Sequence, residues 1–82
     1  MKSVKEAVLE CHNRLLNEKG IDKFSSVDIL FTRENGIDSL GIVTLILEVE
    51  EELSIELDSY LADIRKCKTI GEMIGIIENA RS

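Results

Sequence analysis

Gly36-Ile37-Asp38-Ser39-Leu40 opens a run of apolar and acidic residues that continues from Leu40 through Glu50-Glu51-Glu52-Leu53. The run reads as one long helix starting near Asp38 or Ser39. Ile42, Leu45, Ile46, Val49 and Leu53 recur at the i, i+3, i+4, i+7 spacing of a core-facing stripe. Leu40, Val43 and Leu47 make a second apolar line that begins directly after Ser39. In a bundle this small both stripes cannot be fully buried, so the second is expected to be a docking surface. Glu48, Glu50, Glu51 and Glu52 form an acidic cluster. By default such a run is a solvated face, and beside an apolar stripe it can also steer a basic partner. Ser39 falls where loop becomes helix, close to free backbone N–H groups and the positive end of the helix dipole. That setting suits a phosphate ester, although a serine there can also be a plain helix cap.

Working outward, Ser3 with Glu6 forms a capping-box pattern for a first helix. Its apolar face is Val4, Ala7, Val8, Cys11, Leu15 and Leu16, and Gly20 follows its end. His12 is the single histidine, and beside Cys11 it lacks the further ligands a metal site needs. Residues 21–37 form a long connection, too apolar for a loose linker. We expect an ordered loop, with a short helical turn near 27–30 and Phe31 pinned to the core; loops this long are often functional. A short third helix is expected over 58–64, capped by Asp58, with Leu61 and Ile64 facing in. Thr69 and Glu72 form a second capping box for a final helix that buries Ile70, Met73, Ile74 and Ile77. The expected fold is all-α: a small four-helix bundle of three longer helices and one short one, in a single domain over residues 1–82.

Composition narrows the function. The chain has 82 residues, no proline or tryptophan, and a net charge of −6. Such acidity argues against nucleic acid, whose phosphates require Lys and Arg, and favours partners that present basic patches. No apolar run approaches the ~20 residues of a membrane span, and no signal-peptide pattern opens the chain. A cytoplasmic monomer without membrane insertion is expected. Cys11 and Cys67 are too few for a disulfide scaffold or a zinc site, and read as reduced structural thiols.

Catalytic constellations do not assemble. The one histidine and Ser39 lie on different helices, and the serine lacks a nucleophile-elbow setting. No Gly-rich phosphate loop occurs. An EF-hand register with Gly36 as the loop glycine puts Phe31 and Ile42 at ligand positions, so calcium fails too. The chain is expected to be neither an enzyme nor a metal protein.

The residues resemble the acyl carrier proteins and the related peptidyl and aminoacyl carriers over nearly the whole chain. The resemblance is carried by Phe31 ahead of Gly36-x-Asp38-Ser39-Leu40, by Val43, and by Glu50-Glu51-Glu52-Leu53. It implies that Ser39 receives a 4'-phosphopantetheine arm from coenzyme A through a magnesium-dependent transferase. The arm's thiol would hold an acyl or aminoacyl group for loading and elongating enzymes of fatty acid, polyketide or related biosynthesis. By the same resemblance Asp38 would help position the transferase and its metal, and Leu40, Val43 and Leu47, with Glu48 and Glu51, would face partners. Ile42, Leu45 and Ile46 are either ordinary core or the lining of an acyl pocket.

Two departures stand out. Glu34-Asn35-Gly36 replaces the Asp-Leu-Gly of many fatty-acid carriers, and Gly41 and Thr44 stand where acidic residues are common. Ser39-Leu40-Gly41-Ile42-Val43 is similar to the corresponding segment of D-alanyl carrier proteins, which usually have a late tryptophan that this chain lacks. An aminoacyl or D-alanyl-type carrier is therefore one alternative. An unmodified acidic helical module that binds a basic partner is another.

Overall fold

The computed structural model describes residues 2–81. Four α-helices follow in order: α1 (Val4–Glu18), α2 (Ser39–Leu53), α3 (Leu61–Arg65) and α4 (Ile70–Arg81). Single 3₁₀ turns at Arg33–Asn35 and Asp58–Tyr60 precede α2 and α3. No strand occurs among the described residues, only one bridge between Leu30 and Thr69. The all-α bundle of three longer helices and one short one is as the sequence led us to expect.

Local chemistry sets the helix ends. The Ser3 hydroxyl accepts from the Glu6 N–H, and Glu6 reaches back to the Ser3 N–H. Thr69 and Glu72 repeat the arrangement at α4, with the Glu72 N–H donating to Thr69 Oγ1 at 3.2 Å and the Thr69 N–H to Glu72 Oε2 at 3.0 Å. Each box satisfies backbone donors that the first helical turn leaves without partners. The core gathers one face from every helix: Val8 and Cys11 of α1, Leu45 and Val49 of α2, Ile64 of α3, and Ile70, Met73 and Ile77 of α4. Leu57, just before α3, is fully buried among them.

The long connection is ordered, but its details differ from expectation. Positions 27 and 28 make a hydrogen-bonded turn and not a helical one; the helical turn lies later, at Arg33–Asn35. The reason is a competing use of the backbone. The Val27 and Ile29 carbonyls accept from Gly71 and Ile70 at the start of α4, at 2.9 and 3.0 Å, and the Phe31 N–H donates to the Lys68 carbonyl at 2.8 Å. The loop is thus laced to the first turn of α4, whose N–H groups need partners. Phe31 is half-buried against the core.

From the other side the loop is held by His12 of α1, which is fully buried. One ring nitrogen, Nε2, lies 2.8 Å from the Asn35 carbonyl oxygen, and Nδ1 lies 2.7 Å from Ser25 Oγ. The Nε2–H tautomer satisfies both, donating to the carbonyl and accepting from the hydroxyl. Asn35 continues the network, donating to the Leu30 carbonyl and accepting from Lys23 Nζ. His12 therefore fastens to α1 the residue that immediately precedes Gly36.

The third helix needs a second correction. Asp58 begins a 3₁₀ turn and makes no side-chain cap. Glu50 of α2 does related work instead: its Oε2 accepts from the Leu57 N–H at 2.7 Å. Leu61 is half-buried and Ile64 fully buried.

Candidate carrier site at the start of α2

The loop enters α2 through a tight turn. Gly36 closes the 3₁₀ turn with φ of 76°, a left-handed conformation that side chains disfavour. A Cβ there would also meet the Lys19 side chain at 3.2 Å, because that stem lies across the glycine. Asp38 then caps α2, its Oδ1 accepting from the Gly41 N–H at 2.7 Å. That hydrogen bond first, then the charges of Lys19 and Arg33, hold the Asp38 carboxyl below the usual carboxylate range. Lys19 Nζ stands 4.0 Å from Asp38 Oδ2.

Ser39 is the first residue of the helix, and it is exposed. The division of labour is informative. A serine at a helix start is most often the cap itself, yet here Asp38 does the capping and the Ser39 hydroxyl is left for other use. Gly41 is buried, and a Cβ on it would overlap the Gly36 carbonyl oxygen and crowd Asp38 Oδ1 at 3.1 Å. The close approach that a glycine in a helix suggests is therefore made by the protein's own loop.

Leading away from Ser39, Leu40 and Leu47 are 72% and 59% exposed, with Val43 half-buried between them. Leu45 and Ile46 belong to the core, and Ile42 packs half-buried against it. Of these three, Ile46 also lines a cleft of 210 Å³ between α2 and the 57–61 segment, together with Val43, Leu47, Leu57 and Leu61. Sequence periodicity gave no reason to bring Leu57 and Leu61 to that side of α2, because their positions depend on the irregular chain between helices. A larger open hollow lies between α3 and α4, around Cys67 and Ile76; it takes no residue from α2.

The acidic end of α2 divides among several partners. Glu52 pairs with Lys2 Nζ at 2.9 Å and with Arg14 at 3.7 Å, and Glu48 lies 3.9 Å from Arg14. Lys2 also pairs with Glu10. Glu50 is occupied at Leu57, and Glu51 is exposed. Glu48 thus lies toward α1, while Glu51 shares the outer face with Leu40 and Leu47. Among the described residues no group of His, Cys, Asp and Glu could hold a metal ion. None of the described helices is long and apolar enough to cross a membrane.

The head of α2 thus presents an exposed serine behind an aspartate cap, with an apolar stripe running from it along the helix. The family model for the phosphopantetheine attachment site matches residues 6–77. The chain is 31% identical over 84 residues to the acyl carrier proteins of Tropheryma whipplei strains Twist and TW08/27, covering 100% of this chain and of each relative. No solved structure matches. The chain belongs to the acyl carrier protein family. It is a carrier and not an enzyme, and its prosthetic group is covalent 4'-phosphopantetheine. The residues at the head of α2 fit that group: an exposed serine beside the backbone N–H groups that open the helix.

Proposed function

We propose that Ser39 is the attachment residue, and that the protein carries acyl intermediates as thioesters to successive enzymes of a biosynthetic pathway. The observation that supports this most is the exposed Ser39 set behind an Asp38 that already caps the helix. In the attachment reaction the Ser39 oxygen forms a bond to the pantetheine-bearing phosphorus of coenzyme A. The phosphoanhydride bond breaks, adenosine 3',5'-bisphosphate departs, and the serine proton passes to a base of the transferase. The arm's terminal thiol supplies the thioester. The protein's own thiols are poor substitutes. Cys11 and Cys67 are both buried, and burial pushes their pKa values up, which keeps them protonated and unreactive.

Leu40, Val43 and Leu47, with Glu51 alongside and Glu48 at the flank, form the surface for the transferase and the loading and elongating enzymes. Partners with basic patches are favoured by the net charge of −6. The protein works as a cytoplasmic monomer, with the arm giving its cargo a high effective concentration at each partner. Asp38 contributes to transferase and metal positioning. The cleft beside Ile46 would take the start of an acyl chain, and Ile42 and Leu45 would line it only if α2 and α3 part. At 210 Å³ it falls below the ~300–1,000 Å³ of ordinary ligand pockets, so a short acyl cargo fits best. A second reading, an aminoacyl cargo, is favoured by the Ser39-Leu40-Gly41-Ile42-Val43 segment and by Thr44 in place of an acid.

Incubation with coenzyme A, magnesium and a broad-specificity phosphopantetheinyl transferase tests the attachment. The intact mass should rise by one phosphopantetheine, and Ser39→Ala should remove the gain. A protein that several transferases leave unmodified is instead an unmodified interaction module.

A further inference from the structure

Lys19 lies just past the end of α1, as the residue that caps it. Its aliphatic stem crosses the space that a side chain on Gly36 would fill, with Cδ at 3.2 Å and Cε at 3.8 Å from the position of such a Cβ. The glycine thus makes a channel as well as a turn. The channel delivers the ammonium to Asp38 Oδ2, at a loose 4.0 Å, while the other carboxylate oxygen is committed to the Gly41 N–H. Only about a third of the Lys19 side chain remains exposed. A lysine ammonium has three donors on a flexible stem, and a pairing at this distance leaves it free to turn toward a stronger acceptor beside Asp38.

Attachment of the arm creates such an acceptor. A phosphodiester on Ser39 places a second negative charge on the residue next to Asp38, and like charges this close repel. The N-terminus of α2 relieves part of that repulsion, but Asp38 already draws on the same end of the helix.

We propose that Lys19 is the counter-charge of the modified site, a positioning residue that offsets Asp38 and turns toward the phosphate once Ser39 carries it. The inference rests on reading Ser39 as the attachment residue. It assigns Gly36 a purpose beyond its backbone angle, namely to let a cation from the preceding helix reach the modification site. Reaction and product both benefit, since coenzyme A approaches Ser39 as an anion.

The test is a cycle of apo and holo forms of the wild type, Lys19→Met and Lys19→Arg, each followed by urea unfolding. Methionine keeps an apolar stem and removes the charge, so folding should survive; arginine restores the charge. Attachment of the arm should raise the unfolding equilibrium constant of Lys19→Met by about two- to five-fold more than that of the wild type, the size expected for one partly exposed charge pair. Lys19→Arg should behave as the wild type, and the difference should fade in about 0.5 M salt. The initial rate of arm transfer to Lys19→Met should fall by a similar factor, restored in Lys19→Arg. Equal apo-to-holo changes in wild type and Lys19→Met would overturn the proposal, as would a difference indifferent to salt. A wild type that gains no arm at all would instead refute the reading of Ser39, so the two failures are distinct.

Discussion

At the scale of single residues, the head of α2 depends on a few substitutions that side-chain chemistry would not tolerate. Gly41 is the sharpest case: a Cβ there overlaps the Gly36 carbonyl oxygen. Helix propensity alone favours alanine at an interior position by about 1 kcal/mol, but overlap with backbone forces the loop or the helix to shift. Gly41→Ala should therefore destabilise by about 1–3 kcal/mol, measured by urea unfolding. A neutral or stabilising result would mean that propensity outweighs packing here. Asp38→Ala removes the cap to the Gly41 N–H and should cost about 0.5–2 kcal/mol. His12 gives a pH dependence with a definite sign. Burial pushes its pKa below the ordinary 6.5, opposed in part by the Asn35 carbonyl. The unfolded chain then takes up a proton more readily than the folded one. Stability is full above about pH 6.5 and declines as pH falls below it toward the folded-state pKa. Unfolding free energies measured from pH 7.5 down to 5.5 should show that decline, and His12→Gln should flatten it.

At the scale of elements, how much could be read depended on periodicity. Both capping boxes, the core stripe of α2 and the buried face of α4 follow from local spacing, and the structure has them where the sequence put them. The 21–37 loop and the 57–61 segment have no period to read. Their shape comes from partners far along the chain: Lys68, Ile70 and Gly71 for the loop, and Glu50 for Leu57. That is why the helical turn was expected near 27–30 and lies at Arg33–Asn35, and why Asp58 is not a cap. The place of Ser39 at the start of α2 was legible from the sequence, whereas the contact of Lys19 with Gly36 was not, because only the folded loop lays it there. The outer stripe of α2 gives this scale its own prediction. Leu47 is 59% exposed, so Leu47→Glu should leave unfolding within about 0.5 kcal/mol of the wild type. The same change should weaken binding to the transferase by about ten-fold or more in titration calorimetry, as loss of a central apolar contact does. Unchanged affinity would remove Leu47 from the docking surface.

At the scale of the whole molecule, the proposed reading makes the bundle a handle for one arm at Ser39. Its cysteines are sealed in the core, its acids are partly committed to α1 and to the 57–61 segment, and its exposed apolar residues on α2 run from the serine. On the proposed reading the reactive thiol is that of the arm, and partner enzymes do the chemistry. Peptide-level mass spectrometry of the protein after arm transfer tests this account most directly. Phosphopantetheine should be found on the peptide that contains Ser39 and on no other hydroxyl residue. An arm on any other residue, or its full retention in Ser39→Ala, would contradict it.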